Sequence, residues 1–292
     1  MRIRRNRWVG FEAKQAEVAA RLAETQDWRV AAHDYMRSVN PSAYRLAVDE
    51  YRGQLRFLLP LTADSRVLNL GCGWGPVALN LAACTACVIG FDHRSSNLRF
   101  ASARCRQTDI TALHLMRGNL YDSLPFADDT FDAVVILDTP EGQAMPKGRV
   151  SGWIQRQKMR EIRRVLKPSA NLIWGVSNKL GWAHPPVVPK QQLRTYWGYI
   201  RSLRNAGFES FDVYGALPSH LEPYFILPLN RSKLIDFLVG DLFASEDYQC
   251  KLEARGLGIA YELGCTAWCL GRRFGVSHLI PYLFPSYLIL AR

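Results

Sequence analysis

The chain has 292 residues, of which 48% are hydrophobic, so it can bury an ample core as one large domain or as one domain with an appendage. Its net charge of +11 favours anionic partners such as nucleic acid, phosphorylated glycans or an anionic membrane surface, although a basic solvated surface explains it equally well. The N-terminus lacks the apolar segment of a signal peptide, and the most apolar stretch, residues 276–291, is too short to span a bilayer comfortably. We therefore expect a cytoplasmic protein without a transmembrane segment.

The cysteine pattern favours reduced thiols. The chain has seven cysteines, an odd number, and no secretory leader. Two closely spaced pairs, Cys84 with Cys87 and Cys265 with Cys269, can in principle form a four-thiolate metal site. We favour the alternative that these are small buried hydrophobic side chains, and we expect no metal.

In chain order, the pattern is helical over residues 8–59 and then alternates between strands and helices. Short apolar runs predict strands at residues 66–70, 86–91, 112–116, 131–137, 171–176, 208–214 and 286–291. The segments between them predict helices at residues 76–83, 95–106, 153–166 and 191–206. This rhythm predicts an α/β fold with a doubly wound, mostly parallel, seven-stranded, Rossmann-like sheet.

The same pattern divides the chain into four segments. We expect an N-terminal helical cap over residues 1–60, a Rossmann-like core over 61–214, an inserted helical subdomain or lid over 215–285, and the final strand of the core sheet over 286–292. The insertion is inferred because about 70 residues separate the last two predicted strands, which is too long for an ordinary loop.

The first two predicted strands end in residues that can hold a nucleoside. The first runs into Gly71, Gly73 and Gly75, where the chain turns into a helix with no Cβ to block a ligand. The second ends in Asp92, whose carboxylate can accept hydrogen bonds from ribose hydroxyls. The glycine spacing is tighter than the Gly-x-Gly-x-x-Gly of NAD sites, so a different nucleoside is favoured.

Three regions resemble the class I S-adenosylmethionine (SAM)-dependent methyltransferases, particularly the broad bacterial methyltransferase-domain group. They are VLNLGCGWG at residues 67–75, VIGFDHRSSNLRFA at 88–101, and GNLYDSLPFADDTFDAVV at 118–135 with the later RRVLKPSANLI. The resemblance covers roughly residues 60–214. It implies that SAM is the cofactor, with its methionine part at the glycine loop, its ribose at Asp92 and its adenine flanked by Asn119 and Leu120.

The residues expected at the cofactor are Asn69, Gly71, Cys72, Gly73, Trp74, Gly75, Asp92, His93, Asn119 and Leu120. Two of them depart from the family pattern, which usually has an acid at Asn69 and often has one at Asn119. An amide keeps an acceptor oxygen but loses the negative charge that favours the cofactor's ammonium group. Trp74 is expected either to pack over the methionine part or to form a wall of the acceptor pocket.

A general base is needed only if the acceptor must lose a proton. Asp138 and Glu141 directly follow the fourth predicted strand and are candidate catalytic residues, although Asp138 serves equally well as a cap of the turn before Pro140. His184 follows the fifth predicted strand and is a further candidate, because histidine titrates in the useful range, although a lone histidine in a loop more often has a structural role.

Three functions fit these observations. We favour a methyltransferase acting on a small-molecule, natural-product, peptide or glycan acceptor, with oxygen as the methylated atom. The net charge supports methylation of RNA or another nucleic acid instead. However, Asp-Thr-Pro-Glu at 138–141 lacks the Asn/Asp-Pro-Pro-aromatic string of the amino-methylating families. No Pro-Cys nucleophile follows the fourth predicted strand either. Asn69 and Asn119 motivate a third alternative, a non-catalytic partner protein with the SAM-binding fold. The acceptor and the oligomeric state are left open.

Overall fold

One eight-stranded sheet organises the fold. A computed structural model describes residues 13–37, 41–119, 122–137, 151–181, 193–231 and 282–292, with the isolated residues 234, 266, 273 and 279. The strands are β1 Arg66–Leu70, β2 Cys87–Asp92, β3 Leu113–Arg117, β4 Phe131–Ile136, β5 Leu166–Ser177, β6 Phe211–Ser219, β7 Glu222–Pro228 and β8 Ser286–Ala291. Their order across the sheet is β3-β2-β1-β4-β5-β8-β6-β7.

The first five strands are parallel, and the sheet is antiparallel beyond them. β1 pairs with β2 and β4, β2 with β3, and β4 with β5, all in parallel. β8 lies antiparallel between β5 and β6, and β7 returns antiparallel along β6. β4 has few exposed side chains, as expected for a parallel strand covered on both faces. The predicted α/β, doubly wound, mostly parallel sheet is confirmed, whereas the predicted number of seven strands is wrong.

The additional strand comes from the start of the predicted helical insertion. β6 extends to Ser219 rather than stopping at residue 214, and residues 222–228 form β7 at the edge of the sheet. The sequence of β7, EPYFILP, is rich in the aromatic and β-branched residues that suit a half-buried strand. Residues 215–228 are therefore strand and turn. Most of 232–281 lies outside the described residues.

The helices surround this sheet. They are α1 Ala13–Thr25, α2 Trp28–Ala32, α3 Pro41–Val48, α4 Pro76–Ala82, α5 Ser95–Gln107, α6 Ser151–Val165 and α7 Tyr196–Arg204, with a π-helical turn at His33–Arg37 and a 3₁₀ segment at Glu50–Leu58. Side chains cap α2 and α7: Asp27 accepts from the Arg29 amide at the start of α2, and Thr195 accepts from the Gly198 amide at the start of α7. Within the described part of the chain, no helix has the length and apolarity needed to cross a membrane.

The core has a layer on each face of the sheet and a third layer outside α5. Side chains of α6 and α7 pack on one face, and side chains of α4 pack on the other. The third layer joins α1 and α2 to α5, with Trp28 edge-on to Phe100 at a centroid separation of 6.4 Å. The N-terminal helices therefore reach the sheet through α5 and α4.

Asn178 stabilises the end of β5. It is fully buried, and its Nδ2 contacts the carbonyl oxygens of Tyr282 and Phe284, each at 2.8 Å. We predict that Asn178→Leu lowers the free energy of unfolding by roughly 2–4 kcal/mol, because the buried Phe284 carbonyl and the half-buried Tyr282 carbonyl lose their donor. Urea titration measures the loss. Asn205→Ala, at an exposed helix end, is the control, and an equally small effect of both substitutions would contradict this role.

Candidate functional site

The glycine loop, residues 71–75, connects β1 to α4. Gly71, Gly73 and Gly75 have φ angles of +72°, +55° and +84°, a backbone conformation that is favourable mainly for glycine. The amides of Gly71 and Cys72 both donate to the Phe91 carbonyl, at 2.8 and 3.2 Å, so the loop is bound to the end of β2. The sharp turn predicted from the glycine spacing is therefore present at the carboxyl edge of the parallel strands.

Asp92 joins this loop to the start of α5. Its side chain is 6% exposed. Oδ2 accepts from the Gly73 amide at 3.0 Å, and Oδ1 accepts from the Arg94 amide at 2.8 Å and from Asn97 Nδ2 at 3.2 Å. A carboxylate has about four acceptor positions, so one on Oδ2 remains for a ligand. The carboxylate expected at the ribose thus also holds the loop in place.

Trp74 packs against α5. Its Nε1 donates to Asn97 Oδ1 at 2.9 Å, and its ring stacks on Phe100 with centroids 4.5 Å apart. The indole is therefore engaged by α5, and we expect any contact with the cofactor to come from the Trp74 backbone. Asn97, which bonds to both Trp74 and Asp92, was not among the predicted residues. Its position in the first helical turn after Asp92 could have indicated this role from the sequence.

Asn69 presents a buried acceptor beside the loop. The residue is 2% exposed, and its Nδ2 donates to the Val135 carbonyl of β4 at 3.1 Å. Its Oδ1 has no hydrogen-bond partner among the described residues. An unsatisfied buried acceptor is unfavourable by about 1–3 kcal/mol, and a ligand N–H can satisfy it. The ammonium group of SAM has the required donors, so this residue fits the cofactor implied by the sequence.

His93 follows Asp92 and has a cationic neighbour. Its Nδ1 lies 3.6 Å from Asp92 Oδ1, and Arg94 Nε donates to its Nε2 at 3.3 Å. Burial lowers the pKa of His93, while the charge of Asp92 partly opposes this shift. Burial thus disfavours the charged form of the ring, and the contact with Arg94 orients the ring beside the carboxylate.

The remaining predicted residues are only partly described. The Cys72 side chain is buried, and a Cβ added at Gly90 would lie 3.2 Å from its Sγ, so it packs on β2. Asn119 is exposed just after β3. The other predicted residues, Leu120, Asp138, Glu141 and His184, lie outside the described residues, as do Cys265 and Cys269. Within the described ranges, no three His, Cys, Asp or Glu side chains are grouped to hold a metal.

His220 lies at the ends of β4 and β5 and was missed by the sequence analysis. It is 1% exposed and belongs to the turn between β6 and β7. A Cβ added at Gly175 of β5 would lie 2.7 Å from His220 Cδ2 and 2.9 Å from Leu137 Cδ2. The imidazole therefore lies near Leu137, the residue that directly precedes Asp138 in the sequence. A glycine inside an apolar strand was the signal that another group approaches there.

An aromatic cluster lies beyond the end of β5. Trp197 is 54% exposed and stacks on Tyr282 with centroids 4.6 Å apart. Tyr196 is edge-on to both rings. Tyr199, by contrast, is buried against Trp174, and its hydroxyl donates to the Ser177 carbonyl. Tyr196 and Trp197 therefore lie at the edge where the parallel strands end, whereas Tyr199 belongs to the core.

Comparison with known protein families finds a match over the region that contains the glycine loop. Residues 67–169 match the family model of a methyltransferase domain. These residues form a methyltransferase domain. The domain has the class I fold of the SAM-dependent methyltransferases, as the resemblance of the glycine loop and the neighbouring strands predicted. The glycine loop, Asp92 and the ends of β4 and β5 all belong to or border this domain.

Curated relatives cover parts of the chain. It is 32% identical over 131 residues to the demethylmenaquinone methyltransferase of Lactiplantibacillus plantarum, across 42% of this chain and 49% of that protein. It is 35% identical over 109 residues to the 23S rRNA (uracil(1939)-C(5))-methyltransferase RlmD of Pseudomonas aeruginosa, across 36% of this chain and 22% of that protein. The chain thus spans half or less of the length of these relatives, and they differ in acceptor.

Solved structures show the same fold at low identity. The [4+2]-cyclase SpnF has a TM-score of 0.51 and 19% identity, over 84% of this chain and 80% of that one. Phosphoethanolamine N-methyltransferase 1 of Haemonchus contortus, in complex with phosphoethanolamine and S-adenosylhomocysteine, has a TM-score of 0.50 and 17% identity, over 70% of this chain and 46% of that one. One of the two is described as a cyclase, so the fold alone does not determine the reaction.

The left-handed backbone of the loop generates a test. We predict that Gly73→Val abolishes binding of S-adenosylhomocysteine (SAH) in isothermal titration calorimetry, because a β-branched residue at φ +55° forces the loop to move. Gly207→Val is the matched control, since Gly207 has φ +94° but lies between α7 and β6. It is expected to lower stability and keep SAH binding. Equal SAH affinity of the two variants would show that the loop does not hold the cofactor.

Proposed function

We propose that this chain binds SAM at the glycine loop and transfers its methyl group to an acceptor held over the ends of β4 and β5. The observation that carries the proposal is the hydrogen bond from the Gly73 amide to Asp92, which fixes the loop in a left-handed turn at the edge of the parallel strands. When bound, SAM supplies an electrophilic methyl group on a sulfonium. The protein therefore needs chiefly to orient the two reactants and exclude water, which is worth roughly 7–11 kcal/mol.

The chain's own residues have distinct parts in this proposal. The loop backbone lies against the methionine part, and Asn69 Oδ1 accepts from the ammonium group. The remaining acceptor position of Asp92 serves the ribose, and Asn119 with Leu120 flanks the adenine. Because Asn69 is uncharged and already donates to Val135, its contribution is a hydrogen bond rather than a charge interaction.

A small-molecule, natural-product, peptide or glycan acceptor, methylated on oxygen, remains our preferred substrate class. Three basic side chains of α6 and the start of β5 are engaged within the protein, which weakens the case for nucleic acid. Arg163 donates to the Leu166 carbonyl, Arg164 to Asp128 and Glu161, and Lys167 to Asp132 at 2.7 Å. These three positive charges therefore serve internal contacts rather than a phosphate-binding surface.

Methylation of nucleic acid is the second candidate. It is favoured by the net charge and by the relatives described as RNA methyltransferases. Incubating the protein with methyl-labelled SAM and fractionated cell extract, followed by mass spectrometry of the labelled product, distinguishes the candidates. Label in an RNase-resistant small molecule, peptide or glycan supports the first. Label in RNA supports the second, and SAM binding without transfer in any fraction supports a non-catalytic partner protein.

The proton acceptor, where the reaction needs one, is proposed to be Asp138 or His220, with Glu141 and His184 as further candidates. We predict that either Asp138→Asn or His220→Gln lowers kcat about 100-fold or more while SAH affinity stays unchanged, because general bases contribute roughly 10²–10⁴-fold. The measurement is transfer kinetics with the labelled fraction. His114→Gln, at an exposed site on β3, is the control. If kcat is unchanged when each of the four candidate residues is replaced in turn, the acceptor loses no proton to this protein.

A further inference from the structure

The N-terminal helices are attached to α5 by three of its side chains. Arg99 pairs with Glu17 and Glu24 of α1, with Arg99 Nη2 2.6 Å from Glu24 Oε2. Gln107 donates to the Ala23 carbonyl at 2.9 Å and accepts from the amide of Trp28. These ion pairs and hydrogen bonds of Arg99 and Gln107 reach only the N-terminal helices and the residues that connect them. The third side chain, Arg104, also reaches the glycine loop.

Arg104 contacts three parts of the protein at once. It is 6% exposed, and its Nη1 donates to the Ala47 carbonyl of α3 at 2.7 Å and to the Trp74 carbonyl of the loop at 3.1 Å. Its guanidinium carbon lies 3.9 Å from the ring centroid of Trp28 in α2, within cation–π range. A single buried cation therefore connects α2 and α3 to the middle of the loop.

The loop is consequently held from both sides of Trp74. Arg104 holds the carbonyl, while Asn97 and Phe100 hold the indole. Because it contains three glycines, the loop loses much conformational entropy when it becomes ordered. A loop that is already ordered loses less conformational entropy when a ligand binds, so its affinity is higher.

We propose that Arg104 is a positioning residue that couples the docking of helices α1–α3 to cofactor affinity. The inference rests on the proposed function, since it concerns the same SAM site. Docked N-terminal helices hold Arg104 over Trp28 and fix the loop in the form that accepts SAM. Because binding free energies are linked, SAM in turn stabilises the docked helices. The N-terminal helices thus take part in cofactor binding through Arg104.

Arg104→Met and Arg99→Met form a matched pair, since both remove a cation that holds the N-terminal helices and only Arg104 contacts the loop. We expect both to lower the urea midpoint. We expect Arg104→Met to raise the SAH dissociation constant in calorimetry about tenfold or more, and Arg99→Met to change it less than about twofold. Arg104→Lys should recover part of the affinity, because its ammonium can donate to the same two carbonyls.

Hydrogen exchange of the wild-type protein tests the reciprocal effect without a variant that has to fold. SAH is expected to slow amide exchange in α2 and α3. No change in these helices, or the same change in SAH affinity for both methionine variants, would overturn the coupling. If wild-type protein fails to bind SAH, the proposed function fails. If it binds and Arg104→Met binds equally well, only the positioning role fails.

Discussion

The buried carboxylate of Asp92 joins the two elements from which the site is built. One oxygen accepts from the Gly73 amide in the loop after β1, and the other accepts from the backbone and side chain at the start of α5. Charge-assisted hydrogen bonds of this kind are stronger than neutral ones, particularly where water is excluded. The left-handed turn, the position of Trp74 and the orientation of His93 all depend on this group.

Around this carboxylate, polar contacts connect structural layers that are far apart in sequence. Asn97 extends the network to Trp74, and Arg104 extends it to α2 and α3. On the opposite side, β8 and the β6–β7 hairpin bring His220 to the ends of β4 and β5. In the proposed site, the side assigned to the cofactor is thus supported by the N-terminal helices, and the side assigned to the acceptor by the C-terminal half of the chain.

Much of the sheet and the glycine loop could be predicted from sequence because their signals are local. β1 and β4 are short apolar runs, and the loop glycines adopt the backbone conformation that their spacing indicated. β7 was not predicted because its segment was grouped with the long helical pattern that follows it. Arg104 and His220 were missed because their partners are distant in the chain. Arg104 contacts Ala47, 57 residues away, and no local pattern reveals such a contact.

The central claim is that SAM binds at the glycine loop held by Asp92. Titrating SAH into protein labelled with ¹⁵N-glycine and following the amide resonances tests it most directly. The account predicts that Gly71, Gly73 and Gly75 shift strongly, whereas Gly207, at the end of α7, does not. Saturable SAH binding that leaves the three loop glycines unshifted would contradict it.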